Sequence, residues 1–146
     1  MKKLLIIIIA VAFGTISCKK EKEETKMVND VLVSPVKEII GQGDFVGSQH
    51  SLAGKAVLIK DNTNNYILRL ENFNMTSAPD ADVLLSKTSN YSAGNVINVS
   101  GLGKDVNYTN SSINIDVDNS INFAEYKYVI IWCTQFSAYF GYAPLN

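Results

Sequence analysis

Short runs of β-branched and aromatic residues, separated by turns rich in glycine, asparagine and serine, make up most of this sequence. After residue 41 no segment has the periodicity of an amphipathic helix. The clearest unit covers residues 56–72, where Leu68 and Leu70 alternate with Arg69 and Glu71 after the turn at residues 61–65. Such alternation is typical of a strand with one buried face. The sequence therefore predicts an all-β domain, a single antiparallel β-sandwich or barrel of about 7–9 short strands.

Length and charge limit the classes of protein to consider. A chain of 146 residues supports one folded domain beside a leader segment. The formal net charge is −1, so the sequence offers no basic field for nucleic acid. It also shows no nucleophile elbow, catalytic triad or spaced carboxylate pair. A hydrolase or transferase is not indicated, although a module for electron transfer stays open.

The N-terminus has the order of an export signal. Lys2 and Lys3 precede an apolar run over residues 4–13, which is shorter than the about 20 residues that span a bilayer. The following Gly14-Thr-Ile-Ser-Cys18 resembles the lipobox of bacterial lipoproteins. The resemblance implies a signal peptide at residues 1–17, lipid on Cys18, and a membrane anchor in the cell envelope, on the periplasmic or surface face of the outer membrane. Ordinary cleavage with a free Cys18, or a buried helix, are the alternatives.

Residues 18–40 are interpreted as the lipidated cysteine and a linker, and residues 41–146 as the β domain. The mixed-charge run at residues 19–26 has no apolar face, which is typical of a solvated tether. It also resembles the surface-export signals of some lipoproteins. Residues 28–40, with Pro35, predict an extended leader that adds an edge strand.

The last eighteen or so residues carry the only tryptophan and Cys133. On one unbroken strand Trp132 and Cys133 point to opposite faces. The face predicted to be core then holds Ile130, Trp132, Phe136, Ala138 and Phe140, which leaves Cys133 on the second face. A turn at Thr134 and Gln135 would change this assignment.

Three segments together resemble the DM-thirteen, or electron-transfer DM, domain family. They are Gly43-x-Phe45-x-Gly47-x-x-His50-x-x-x-Gly54-x-Ala56; Leu68-x-Leu70-x-Asn72-Phe73 with Pro79-Asp80-x-x-Val83-x-Leu85-Ser86; and Ile131-Trp132-Cys133-x-x-Phe136-x-x-x-Phe140-Gly141-x-Ala143-x-Leu145. The resemblance implies an extracytoplasmic β-rich module with redox chemistry at Cys133, as a bare thiol or as the holder of a group such as non-covalent haem. His50 is then a second ligand or partner, and Trp132, Phe136, Pro79 and Asp80 support the motif.

The residues themselves also permit simpler roles. Free cysteines are usually buried and behave as small apolar side chains, and His50 beside glycines suits a hydrogen-bonded structural residue. Met75 is a further axial ligand for haem. Covalent c-type haem is excluded because no Cys-x-x-Cys-His occurs, and one histidine with one free cysteine is too few ligands for zinc.

Two functions therefore remain open. The first is a membrane-tethered redox or electron-transfer module, centred on Cys133 and served by a redox partner protein. The second is a non-catalytic β-sandwich that binds a protein or glycan through loops near Pro79 and Asp80 or the glycine-rich segment, with Cys133 as a buried structural residue.

Overall fold

A computed structural model describes residues 23–146, so the predicted signal peptide and the lipidation of Cys18 lie outside the described residues. Within residues 23–146, ten strands and one short 3-10 helix follow one another. They are β1 (Glu24–Lys26), β2 (Val36–Asp44), β3 (Val46–Gly47), β4 (Leu52–Asp61), β5 (Tyr66–Met75), β6 (Ala81–Ser86), the helix (Ala93–Asn95), β7 (Val96–Gly101), β8 (Val106–Val117), β9 (Tyr128–Cys133) and β10 (Ala138–Pro144).

The strands form two five-stranded sheets that pack as a sandwich. The first sheet has the order β1-β8-β5-β4-β2, and the second has the order β3-β10-β9-β6-β7. All pairings are antiparallel except that of β1 with β8. The predicted all-β sandwich is confirmed, with ten strands in place of about seven to nine. In the described part of the chain no helix is long and apolar enough to cross a membrane.

The hairpin predicted around residues 61–65 is β4 followed by β5. Its turn is organised by Asp61, whose Oδ1 accepts hydrogen bonds from the Thr63 hydroxyl at 2.7 Å, the Thr63 amide at 2.8 Å and the Asn65 amide at 2.9 Å. These donors, the Thr63 hydroxyl first, lower the pKa of Asp61. The turn predicted at residues 61–65 therefore uses the carboxylate of Asp61 for its own hydrogen bonds.

Parts of the predicted leader belong to the first sheet. β2 forms one edge of that sheet, as the extended leader predicts. At the other edge β1 stays exposed, yet pairs in parallel with residues 106–108 of β8. Pairing at an edge depends on backbone hydrogen bonds and needs no apolar side chains, so the charged run does not reveal it.

The terminal segment is not one unbroken strand, and of the two possibilities the structure shows the turn that includes Thr134 and Gln135. The chain turns back after Cys133, and β9 and β10 pair as a hairpin. Ser137 has a left-handed φ of 49°, and its amide donates to the Thr134 carbonyl at 3.3 Å. Consequently Val129, Ile131 and Cys133 enter the core between the sheets, whereas Trp132 lies on the outer face of the second sheet.

Among residues 23–146, Phe73 on β5 has the largest fully buried side chain. Its ring meets the rings of Phe45 at 5.5 Å and Tyr108 at 5.7 Å between centroids. Leu68 and Leu70 on the same strand are also fully buried, as the hairpin pattern predicts. This aromatic group lies towards the end of the sandwich where β5 ends and β6 begins.

Candidate functional site

The topology brings most of the predicted site residues to one end of the sandwich. β5 ends at Met75 and β6 begins at Ala81, so the connection that carries Pro79 and Asp80 crosses between the sheets at this end. Cys133, the last residue of β9, pairs with Ala81 directly beside that connection. Two motifs that are far apart in the sequence therefore meet around the thiol.

The Cys133 side chain is a free thiol and only 1% exposed. Its cross-strand neighbours are both alanines, Ala81 on β6 and Ala138 on β10. Alanine has the smallest side chain that contains a Cβ, so the neighbouring side chains in the same sheet occupy little space around the thiol. The four residues that follow it, 134–137, are all exposed. Cys133 is thus buried at the margin of the core and not at its centre.

The turn after Cys133 is held by the connection before β6. The Thr134 amide donates to the Asp80 carbonyl at 3.0 Å, and the Thr134 hydroxyl donates to Asp82 Oδ2 at 2.8 Å. Phe136 stands at the tip of the turn with 68% of its surface exposed. The Asp80 carbonyl therefore helps to fix the turn that follows Cys133.

His50 is exposed, and its ring stacks on Phe140 at 4.2 Å between centroids, with 16° between the planes. The Ser48 amide donates to the Phe140 carbonyl at 2.8 Å and holds this loop against β10. Phe140 lies two residues along β10 from Ala138, the cross-strand partner of Cys133. His50 is therefore near the Cys133 end of the sandwich, but it makes its contact with Phe140 at the surface.

The glycines of the motifs permit close packing of strands, as their spacing predicts. A Cβ at Gly43 would lie 2.1 Å from the Pro144 carbonyl oxygen, and one at Gly141 would lie 2.2 Å from the Val46 carbonyl oxygen. Gly54 has a φ of +116°, which side chains rarely allow. These positions seat β2, β3 and β10 against one another beneath the His50 loop.

Trp132 has a partner that the sequence does not indicate. Its ring stacks on Tyr91 at 3.8 Å and 6°, on the outer face of the second sheet. Beside it the Tyr139 hydroxyl donates to the Ser89 carbonyl at 2.5 Å, and burial, with a smaller contribution from Tyr142, raises the pKa of Tyr139 to about 12. The segment before β7 therefore folds over this face, and Trp132 anchors it.

The arrangement does not fit a haem held between Cys133 and His50. The thiol is enclosed in the core, whereas the imidazole is at the surface against Phe140. The cleft at this end, of about 320 Å³, is lined by Met75 but not by either of them; its lining is Thr25, Ser51, Asn74, Met75, Thr76, Asn107, Tyr108 and Thr109. Over residues 23–146, no three His, Cys, Asp or Glu side chains group in a way that could hold a metal ion.

The sequence indicated Cys133, His50, Phe140 and the Pro-Asp motif, but not which residues would lie next to one another in the site. Ala81, Ala138, Asp82 and Phe140 gain their importance from cross-strand pairing and loop contacts. Only the register of the strands reveals such neighbours, and the register depended on the turn at residues 134–137.

Comparison with known proteins gives one assignment. Residues 44–145 match the family described as Electron transfer DM13. No curated protein and no solved structure matches the chain. The matched segment takes in Cys133, His50, Pro79 and Asp80, and it covers most of the sandwich. The chain therefore belongs to the electron transfer DM13 family, and this membership suggests a redox-related role with a redox partner.

Proposed function

We propose that this protein is a lipid-anchored redox module of the cell envelope, in which Cys133 exchanges electrons with a partner protein by thiol–disulfide chemistry. The observation that carries the proposal is the position of the thiol. It is enclosed between two alanines at the end of β9 and followed at once by an exposed turn. Family membership supports a redox role, and local opening of the turn gives the thiol a route to solvent.

The chemistry needs one partner disulfide. The Cys133 thiolate attacks one sulfur of that disulfide, a new S–S bond forms, and the second partner cysteine leaves as a thiolate that takes up a proton. In this mixed disulfide Cys133 is oxidised, and one of the two partner cysteines has been reduced. The chain has two cysteines, and lipidation would occupy the sulfur of Cys18. Attack by the released partner thiolate only reverses the step, so net electron transfer needs a further thiol, which attacks Cys133 Sγ, releases the partner as a dithiol and stays joined to Cys133.

Opening of the turn should control access to Cys133. Thr134→Val removes the hydroxyl that bonds Asp82, and we expect it to raise the rate of maleimide labelling of Cys133 about 2- to 10-fold in native buffer. Thr88→Val is the matched control, because that hydroxyl bonds the Asn90 carbonyl at 2.8 Å in another exposed turn. Mass spectrometry of the intact protein gives both rates.

This proposal would be contradicted if Cys133 were labelled only through global unfolding. The labelling rate would then depend on urea as global unfolding does, and Thr134→Val would not change it. That result would favour the second function, a binding module with a structural cysteine. The observation that supports this second function is the burial of Cys133, which is only 1% exposed. In that case Cys133→Ser should reduce stability while partner binding persists, and no mixed disulfide should form with an exported disulfide protein.

The lipid anchor has its own test in the full chain. Export signals and the lipobox-like sequence before Cys18 support lipidation, and more than one acyl chain provides stable attachment to a membrane. We expect Cys18→Ser to move the protein from the membrane fraction to the soluble fraction. Cys133→Ser should leave it with the membrane. Equal distribution of the two variants would count against an anchor on Cys18.

A further inference from the structure

The four edge strands of the sandwich differ in how they are protected from pairing with other chains. Native edges are usually short, charged, bulged or interrupted by proline. β1 has three residues, β3 has two, and β2 carries Lys37 and Glu38 beside two register irregularities. β7, with the sequence Val-Ile-Asn-Val-Ser-Gly, has six residues, no charge and no proline, and one register irregularity in its pairing with β6. It is the least protected long edge.

A cleft of about 440 Å³ lies beside β7. Ile97 and Val99 of β7 and Val117 and Ile121 from the end of β8 and the loop after it supply its apolar lining. On its outer side β8 pairs with β1 only at residues 106–108 and with Asn29 at Ser112, so the last part of β8 has no neighbouring strand there within residues 23–146. Apolar side chains of an added strand would therefore find room between the two sheets.

The charge of the cleft selects among the strands that could enter. Both charged residues that line it, Asp116 and Asp118, are acidic and exposed. Asp118 Oδ1 accepts a hydrogen bond from the Ser120 amide at 2.7 Å, which fixes the carboxylate at the cleft. A β7 strand supplied by a second copy of this chain carries no basic side chain to match them. Lysine or arginine side chains would be attracted.

We propose that β7 accepts an extended segment of a partner protein, which adds a sixth strand to the second sheet. Its apolar side chains enter the cleft at Ile97 and Val99, and its basic side chains face Asp116 and Asp118. Strand addition obtains its affinity from backbone hydrogen bonds and its specificity from alternate side chains. The cleft is not lined by Cys133, Pro79 or Asp80, so this surface holds a partner independently of the thiol.

A peptide of alternating lysine and valine, with the length of β7, tests the proposal. In ¹⁵N NMR spectra of the domain at low ionic strength, we expect its titration to shift the amide signals of residues 96–101 and 116–118. An alternating glutamate–valine peptide should bind more weakly. The double change Asp116→Asn with Asp118→Asn should weaken binding of the lysine peptide about 2- to 25-fold. Glu38→Gln with Asp44→Asn, which removes two acids from β2, should leave the affinity unchanged.

A folded variant at the edge gives a second readout. Asn98 is exposed on β7, and Asn98→Lys adds the charge that edges usually carry. It should reduce binding of the lysine peptide without changing the rest of the spectrum. Equal affinity for the two peptides, or shifts that avoid β7, would overturn the proposal. A dimer in sedimentation equilibrium that Asn98→Lys abolishes would assign the edge to a second copy of this chain and would overturn it too.

Discussion

Phe73→Ala should lower the free energy of unfolding by about 3–5 kcal/mol. The Phe73 side chain is fully buried and joins Phe45 to Tyr108 between the two sheets. Its removal leaves a cavity bounded by rigid β-strands on both sides, which can close only in part. Since a small domain is stable by about 5–15 kcal/mol, the variant should lose a large part of its stability. Urea unfolding followed by Trp132 fluorescence measures the change.

Phe136→Ala is the matched control for that experiment. It deletes the same side chain from the exposed tip of the turn after Cys133, where 68% of its surface meets solvent. We expect the stability to change by no more than about 0.5 kcal/mol. Similar losses for the two variants would contradict the burial of Phe73 in the core. If the turn opens locally, Phe73→Ala should change the rate of global unfolding much more than the rate at which Cys133 is labelled in native buffer.

The sequence was most informative where side-chain alternation and turn chemistry agree. The hairpin of β4 and β5 has both signals, a strict alternation at Leu68 and Leu70 and a turn that Asp61 organises. The family motifs likewise indicated Cys133 and the Pro-Asp segment. What the pattern could not give was the register of the last hairpin, because the run from Val129 onward is apolar on both faces.

One turn decided the orientation of the candidate site. Because the chain turns back at residues 134–137, Cys133 lies in the core and Trp132 on the outer face, the reverse of what one unbroken strand predicts. The outer face could not be predicted from periodicity, since Tyr91 reaches Trp132 from a loop in a different part of the sequence. β1 and β3 could not be predicted from the sequence either, because the pairing of short edge strands depends on backbone hydrogen bonds. Fold class therefore follows from local sequence, whereas the environment of the thiol follows from long-range pairing.

Gly141→Ala should destabilise the domain by about 2–6 kcal/mol, the sum of a backbone cost and an overpacking cost of about 1–3 kcal/mol each. Gly141 has a φ of +150°, and a Cβ there would lie 2.2 Å from the Val46 carbonyl oxygen and 2.9 Å from Leu52 Cδ2. The clash with Val46 can be relieved only if β3 moves away from β10, where Gly47 pairs with Gly141. Since His50 stacks on the neighbouring Phe140, its NMR ring signals should shift as well.

Gly94→Ala separates these costs from the general effect of losing a glycine. A Cβ at Gly94 meets no atom within 4 Å, and its φ is not in the region that excludes side chains. Replacement there should leave the stability unchanged or raise it by up to about 1 kcal/mol, because alanine restricts the unfolded chain. If urea unfolding showed equal stability for the two variants, close packing of β3 on β10 could not be the reason for the glycine in the Phe140-Gly141 motif. A selective loss at Gly141, with displaced His50 signals, would show that this glycine positions the His50 loop at the Cys133 end of the sandwich.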